Sequence, residues 1–267
     1  MGEYPLWDDS ELESTLSSAA AAVPAWQATT LEERCTLIRR AAVVLRKRRD
    51  ELARQITLEM GKLIGEAHWE IEKCAWVCEF YADNAAQMLA DESIATDASR
   101  SLVAYQPLGT VLAVMPWNFP FWQVFRFAAP ALVAGNTGVL KHASNVPQCA
   151  LAIESVFQEA GFPEGVFRTL MISAVQVQGV IEDPRIHAVT LTGSEHAGRK
   201  VAAAAGGALK KSLLELGGSD AFIVLEDADL DHTVEQAVAS RFFTSGQSCI
   251  AAKRIIVVEA VAEAFLK

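Results

Sequence analysis

The chain has 267 residues, enough to bury a sizeable core as one large domain or as one domain plus part of a second. Hydrophobic residues make up 51% and charged residues 21%, which is a globular and not a disordered composition. Lys and Arg total 23 against 33 Asp and Glu, a formal net charge of −10 that argues against a nucleic-acid or anionic-membrane partner, because both need a basic footprint.

The start Met1-Gly2-Glu3-Tyr4-Pro5-Leu6 has neither a basic region nor an apolar core for export, and Leu6 stands where a myristoylation signal has Ser or Thr. Cys35, Cys74, Cys78, Cys149 and Cys249 form an odd, scattered set, so reduced thiols in a cytoplasmic protein are expected. From Asp9 to about Ile94 the pattern is helical. Leu31, Ile38, Ala41, Ala42, Leu45 and Leu52 recur at helical spacing among charges of alternating sign, with Thr29 or Thr30 as N-cap and Glu32 or Glu33 three residues on. The basic run Arg46-Lys47-Arg48-Arg49 sits between acidic neighbours and reads as a solvated helix face. On the next helix, Gly65 to about Ala90, Cys74 and Cys78 are spaced as metal ligands could be. No second Cys/His pair follows at structural-zinc spacing, so no metal is expected and core packing among Trp69, Trp76, Val77 and Phe80 is the preferred reading.

After Asp97 the character changes. The span Ser101 to Phe125 carries no charge, but Pro107, Gly109, Pro116, Asn118 and Pro120 divide it into pieces too short to cross a membrane. Ser101–Gln106, Gly109–Met115, Gly138–Lys141, Val166–Met171, Ala188–Thr192, Lys210–Glu215 and Ala221–Leu225 read as strands. Val124–Ala134, Val146–Ala160, Val175–Ile181, Gly198–Ala204 and Val234–Phe243 read as helices. This alternation predicts an α/β fold, a doubly wound Rossmann-like parallel sheet behind N-terminal helices, with ligands at the carboxyl ends of the strands.

Three segments fall where such a sheet puts its site. Met115-Pro116-Trp117-Asn118-Phe119-Pro120 offers a neutral amide donor, Leu214-Glu215-Leu216-Gly217-Gly218 a carboxylate on a glycine-flanked loop, and Gly246-Gln247-Ser248-Cys249 a thiol. Each alone has an ordinary alternative: Cys249 as a small buried hydrophobe, Glu215 as a cap for backbone N–H groups, Asn118 as a turn-former. Their joint occurrence in this order does not.

These segments, with Leu140-Lys141-His142-Ala143-Ser144 and Thr192-Gly193-Ser194, resemble the aldehyde dehydrogenase superfamily across essentially the whole chain, most closely its succinate-semialdehyde branch. The resemblance implies oxidation of a small aldehyde with NAD or NADP. Cys249 would be the nucleophile, Asn118 and the Cys249 N–H the oxyanion donors, and Glu215 the general base. Cofactor contacts would fall to Trp117, Asn118, Lys141, Ser144, Gly193, Ser194 and Leu216. The usual G-x-G-x-x-G fingerprint is absent, and the pyrophosphate would sit at the helix start Gly193-Ser194-x-x-x-Gly198. Ser144 stands where family members that demand NAD often carry Glu, which implies NAD with NADP tolerated. Gly217 and Gly218 would let their loop adopt positive φ beside the cofactor. Trp122 and Arg126 would read the substrate, Arg126 by gripping a distal carboxylate, although a guanidinium there serves equally as a structural ion pair.

The resemblance also implies a domain over residues 1–243 and the start of a truncated catalytic domain over 244–267, without the family's Glu-x-Phe-Gly-Pro loop. Ser101–Gln106 is similar to the family's oligomerisation strand, so a homo-oligomer is implied for full-length members. Two rival readings remain: a dinucleotide-binding module without activity, and a cysteine hydrolase or acyltransferase drawing on one of His68, His142, His187, His196 or His232.

Overall fold

A computed structural model describes residues 3–267, so the Met1-Gly2 part of the export and myristoylation reading lies outside the described residues. The chain forms two compact units, the first ending at Glu215 and the second comprising Leu216–Lys267.

The first unit opens with helices α1 (Asp9–Gln27), α2 (Leu31–Lys47), α3 (Arg49–Met60) and α4 (Ile64–Met88). Capping boxes start the first two, Asp8 with Glu11 and Thr30 with Glu33, so Thr30 and not Thr29 is the cap of α2. Gly61, at φ 79°, ends α3 in a left-handed turn that a side chain would resist. The basic run at the end of α2 is neutralised by acids: Arg46 pairs with Glu72 and Glu79, Lys47 with Glu159, and Arg48 with Glu51.

Along α4 the buried residues are Ala67, Glu70, Ile71, Cys74, Ala75, Val77, Cys78, Ala82 and Ala85, so Val77 packs in the core as expected. Trp69, Trp76 and Phe80, expected to join it there, are exposed. At about 100° per residue the small residues and the two cysteines own the inner face, and the aromatics are carried to the outer one.

A short antiparallel pair, β1 (Glu92–Ser93) and β2 (Leu102–Val103), follows. The expected strand Ser101–Gln106 is therefore reduced to two paired residues, because its partner is itself only two residues long and exposed. The rest of the unit alternates β3 (Thr110–Met115), α5 (Trp122–Val133), β4 (Thr137–His142), α6 (Pro147–Glu159), β5 (Phe167–Thr169), α7 (Val177–Glu182), β6 (Ile186–Thr192), α8 (Glu195–Gly207) and β7 (Lys211–Glu215).

The strands build one five-stranded sheet, all parallel, in the order β5-β4-β3-β6-β7. The chain starts at the central β3, runs outward to β5, then returns to β6 on the other side of β3. This is the doubly wound arrangement the alternation predicted, and its switch point is the crevice between the carboxyl ends of β3 and β6. β4 is buried along its whole length, as a strand covered by helices on both faces must be. Between sheet and helices lies an aromatic cluster in which Phe157 stacks on Phe125 at 5.1 Å and meets Phe162 and Phe167 at 5.2 and 4.6 Å. Fully burying each such ring contributes about 1.5–3 kcal/mol.

In the second unit, β8 (Ala221–Val224) pairs in parallel with β9 (Arg254–Val257), and α9 (Leu230–Phe242) and α10 (Glu259–Phe265) complete it. The strand predicted at Ala221–Leu225 thus leaves the main sheet and pairs instead with the segment after Cys249.

Candidate active site

In the first unit the expected residues collect at the carboxyl ends of the parallel strands. Trp117 and Asn118 follow β3, Lys141 lies in β4 and Ser144 just beyond it, Gly193 and Ser194 follow β6, and Glu215 ends β7. Parallel strands align all their carboxyl ends on one side, which is why residues nearly a hundred positions apart share one edge of the sheet.

The turn that carries Asn118 is held from beneath. Fully buried Glu70 of α4 accepts hydrogen bonds from the N–H groups of Phe121 and Trp122 at 2.9 and 3.0 Å, which satisfies two orphan donors at the start of α5. Its other carboxylate oxygen accepts from the buried Lys62 ammonium, which also lies 3.8 Å over the Phe119 ring. Burial pushes the Glu70 carboxyl up, against Lys62 and the two N–H donors, which pull it down.

From the other side comes His142. Ala143 N–H donates to His142 Nδ1 at 2.9 Å, Met115 O lies 3.2 Å from the same nitrogen, and Nε2 lies 2.9 Å from Pro120 O. Burial lowers this imidazole to about 4, so it stays neutral. Neither Glu70, Lys62 nor His142 was singled out for this role from sequence; Glu70 and Lys62 sit eight residues apart on no recognisable motif, and only His142 lay inside a quoted segment.

Arg126 follows Trp122 by one helical turn. Its Nη2 lies 3.9 Å from Glu215 Oε2 and donates weakly to Thr192 Oγ1 at 3.4 Å. Both side chains are half-exposed, so this pair is worth no more than about 1 kcal/mol and leaves the guanidinium available. Beside Trp122 stands a group the sequence reading did not single out: Lys73 of α4, whose ammonium lies 3.9 Å over the Trp122 ring and 5.0 Å from Trp69.

The residues expected to hold a dinucleotide fit it locally. Ser194 is the N-cap of the 13-residue helix α8, with its Oγ accepting from Ala197 N–H at 3.2 Å, and the helix dipole favours an anion there. The acid in that first turn, Glu195, is paired with Arg199. Lys141 is 9% exposed, and its ammonium donates to His142 O at 2.8 Å; an ammonium has three donors, so two remain for ribose hydroxyls. Burial lowers the Lys141 ammonium. Ser144 is exposed and carries no charge against a 2′-phosphate. The expectation of positive φ at Gly217 and Gly218 does not hold, since neither is among the positive-φ glycines; at Gly217 a Cβ would meet nothing within 4 Å.

In the second unit, Leu216 is its first residue and half-buried. Cys249 is partly exposed, unlike the other four cysteines, which are buried. The turn before it is tight: Thr244, Ser245 and Gly246 all have positive φ, at 54°, 54° and 74°. Gly246 lies in the left-handed region, where a side chain would be strained. Lys253 Nζ donates to the carbonyls of Cys249 and Gly218, both at 2.8 Å, which fixes the thiol-bearing turn to the start of the unit.

The comparisons with known proteins decide the family. The profile of the Aldehyde dehydrogenase family matches residues 1–267. The chain belongs to the aldehyde dehydrogenase family. A probable succinate-semialdehyde dehydrogenase [NADP(+)] of a Synechocystis species is 59% identical over 257 residues, 96% of this chain and 57% of that protein. The succinate-semialdehyde dehydrogenase [NADP(+)] of Mycolicibacterium paratuberculosis is 53% identical over 241 residues, 89% of this chain and 51% of that protein. Among solved structures, succinic semialdehyde dehydrogenase from Streptococcus pyogenes in complex with NADP+ superposes with a TM-score of 0.96 at 40% identity, covering 99% of this chain and 58% of that one. The aldehyde dehydrogenase chain described here therefore spans about half the length of the relatives it matches. Among the described residues no helix is long and apolar enough to cross a membrane.

Proposed function

We infer that this chain carries the dinucleotide-binding half and the nucleophile segment of an NADP-dependent succinate-semialdehyde dehydrogenase. The observation that carries the reading is the shared strand edge, where an anion-favouring helix start at Ser194, the half-buried Asn118 amide and the Glu215 carboxylate beside Arg126 occupy the carboxyl ends of β6, β3 and β7. The names of the relatives supply the substrate and the choice of NADP over NAD.

In this reading the Cys249 thiolate attacks the aldehyde carbon, and its carbonyl oxygen becomes an oxyanion that accepts from the Asn118 side-chain amide. A nicotinamide held by these residues would supply the hydride acceptor, and the Asn118 amide holds the oxyanion until it collapses to a thioester on Cys249. Glu215 then takes a proton from water, and the hydroxide character so generated breaks the C–S bond and releases the acid. Lys141 and Ser194 would hold the dinucleotide, and Ser144 would leave room for its 2′-phosphate without demanding one. Arg126 binds the distal carboxylate bidentately.

The test is hydride transfer, followed by dinucleotide absorbance, with succinate semialdehyde and with an uncharged aldehyde. Cys249→Ala should abolish turnover while titrated NADP affinity is unchanged. Arg126→Ala should raise KM for succinate semialdehyde far more than for the uncharged aldehyde. Turnover by Cys249→Ala at the parent rate would overturn the mechanism, and equal effects of Arg126→Ala on both aldehydes would remove that residue from substrate recognition. Dinucleotide binding without turnover would favour the binding module over the enzyme.

A further inference from the structure

Trp122, at the start of α5, has one cation over its ring and a second one helical turn further along the chain. Arg126 lies one turn beyond Trp122 on the same helix, and the Lys73 ammonium of α4 lies 3.9 Å over the Trp122 ring. The two cations differ in their counter-charges. Arg126 has Glu215 at 3.9 Å, whereas Lys73 forms no salt bridge among the described residues: the adjacent acid, Glu72, is paired with Arg46, and Glu70, three residues before, is committed to Lys62 and two backbone N–H groups. Lys73 is half-buried against two aromatic faces, Trp122 and Trp69 at 5.0 Å. Ring faces stabilise an ammonium electrostatically but accept none of its N–H donors in the way a carboxylate does. Burial lowers the Lys73 ammonium first, and the positive charge of Arg126 lowers it further, so the two cations sense each other.

A half-buried ammonium held beside a guanidinium, with its donors unspent, is an anion receptor. We propose that Lys73 is a second reader of the substrate's distal carboxylate, sharing it with Arg126 across the face of Trp122. This rests on the semialdehyde reading of the site and adds the residue that would set its preference for an acid-bearing chain. The indoles hold the ammonium in place in the free protein, so little rotamer freedom is lost when the carboxylate arrives.

The test is binding and needs no turnover: titration of succinate, and of 1,4-butanediol as an uncharged molecule of the same chain length, followed by tryptophan fluorescence. The parent chain should bind succinate more tightly than the diol. Lys73→Met, which keeps an apolar stem against both indoles, should weaken succinate on the order of tenfold, the loss of one charge-assisted hydrogen bond, and leave the diol unchanged. Lys73→Arg should retain most of the succinate affinity, and Lys73→Gln serves in place of the Met variant should that one misfold. Parent-like succinate affinity in both Lys73→Met and Lys73→Gln would overturn the inference and leave the semialdehyde reading standing. Absence of any preference for succinate over the diol in the parent chain would overturn both.

Discussion

Replacing Glu70 by Gln tests how the Asn118 turn is held. The substituted amide keeps an oxygen that can accept from the N–H groups of Phe121 and Trp122, so the helix start stays satisfied; what it removes is the charge facing Lys62. Lys62 is 1% exposed and cannot reach water, and its remaining support is the Phe119 ring 3.8 Å away. Breaking one partner out of a buried ion pair costs about 3–5 kcal/mol. For a unit of this size each kcal/mol lowers the melting temperature by about 2–4 °C, so Glu70→Gln should lower it by roughly 6–20 °C. Adding Lys62→Met to Glu70→Gln removes the stranded ammonium, and the double variant should recover more than half of that loss. Calorimetry or circular dichroism on the single and double variants measures both quantities. A loss under about 1 kcal/mol for Glu70→Gln, or additive losses in the double variant, would show that the pair is not what fixes the turn.

Three further expectations can be checked on the same material. The folded-state value of about 4 for His142 lies below the ordinary 6.5, so the unfolded chain binds the extra proton between them; stability should be complete above about pH 6.5, fall by roughly 3 kcal/mol toward pH 4 and then level off, and His142→Gln should remove that component from denaturant titrations across pH. Gly61→Ala should cost only about 1 kcal/mol, the strain of a left-handed alanine at φ 79° with nothing within 4 Å, whereas Gly165→Ala at φ 83° would place its Cβ 2.5 Å from the Ser18 carbonyl oxygen and should cost clearly more in the same denaturant assay. Under native conditions an alkylating reagent should label Cys249 and spare Cys35, Cys74, Cys78 and Cys149, whose thiols burial pushes up, and peptide mapping would reveal any of those four reacting as fast.

The elements that could be read from sequence were those whose residues face one environment throughout. β3, β4, β6 and β7 are apolar or bounded runs between turn residues, and their ends fall within two residues of the expected ones. Where side chains face two environments the reading failed: the aromatics of α4 are large and apolar yet point outward, because the narrow cysteine and alanine face is what fits against α2 and α5. The strand at Ala221 was correctly recognised, but its pairing with the segment after Cys249 was not, since pairing between β8 and β9 depends on a crossover of some thirty residues that no local pattern encodes. Of the candidate site residues, Cys249, Glu215 and Asn118 could be singled out because they sit in quotable motifs. Glu70, Lys62 and Lys73 were not, because their roles arise only where α4 meets the first turn of α5.

That helix is pinned at both tips. Glu70 grips its first N–H groups, and at the far end Trp26 Nε1 donates to Leu132 O at 3.2 Å and Arg34 Nε to Val133 O at 2.8 Å. A rod of 12 residues, about 18 Å long, fastened in this way can neither slide along its axis nor swing about one end. In the proposed reading, accommodation of a longer or shorter aldehyde is then left to the rotamers of Trp122 and Arg126, and chain-length selectivity should change in steps with side-chain replacement instead of drifting with helix position.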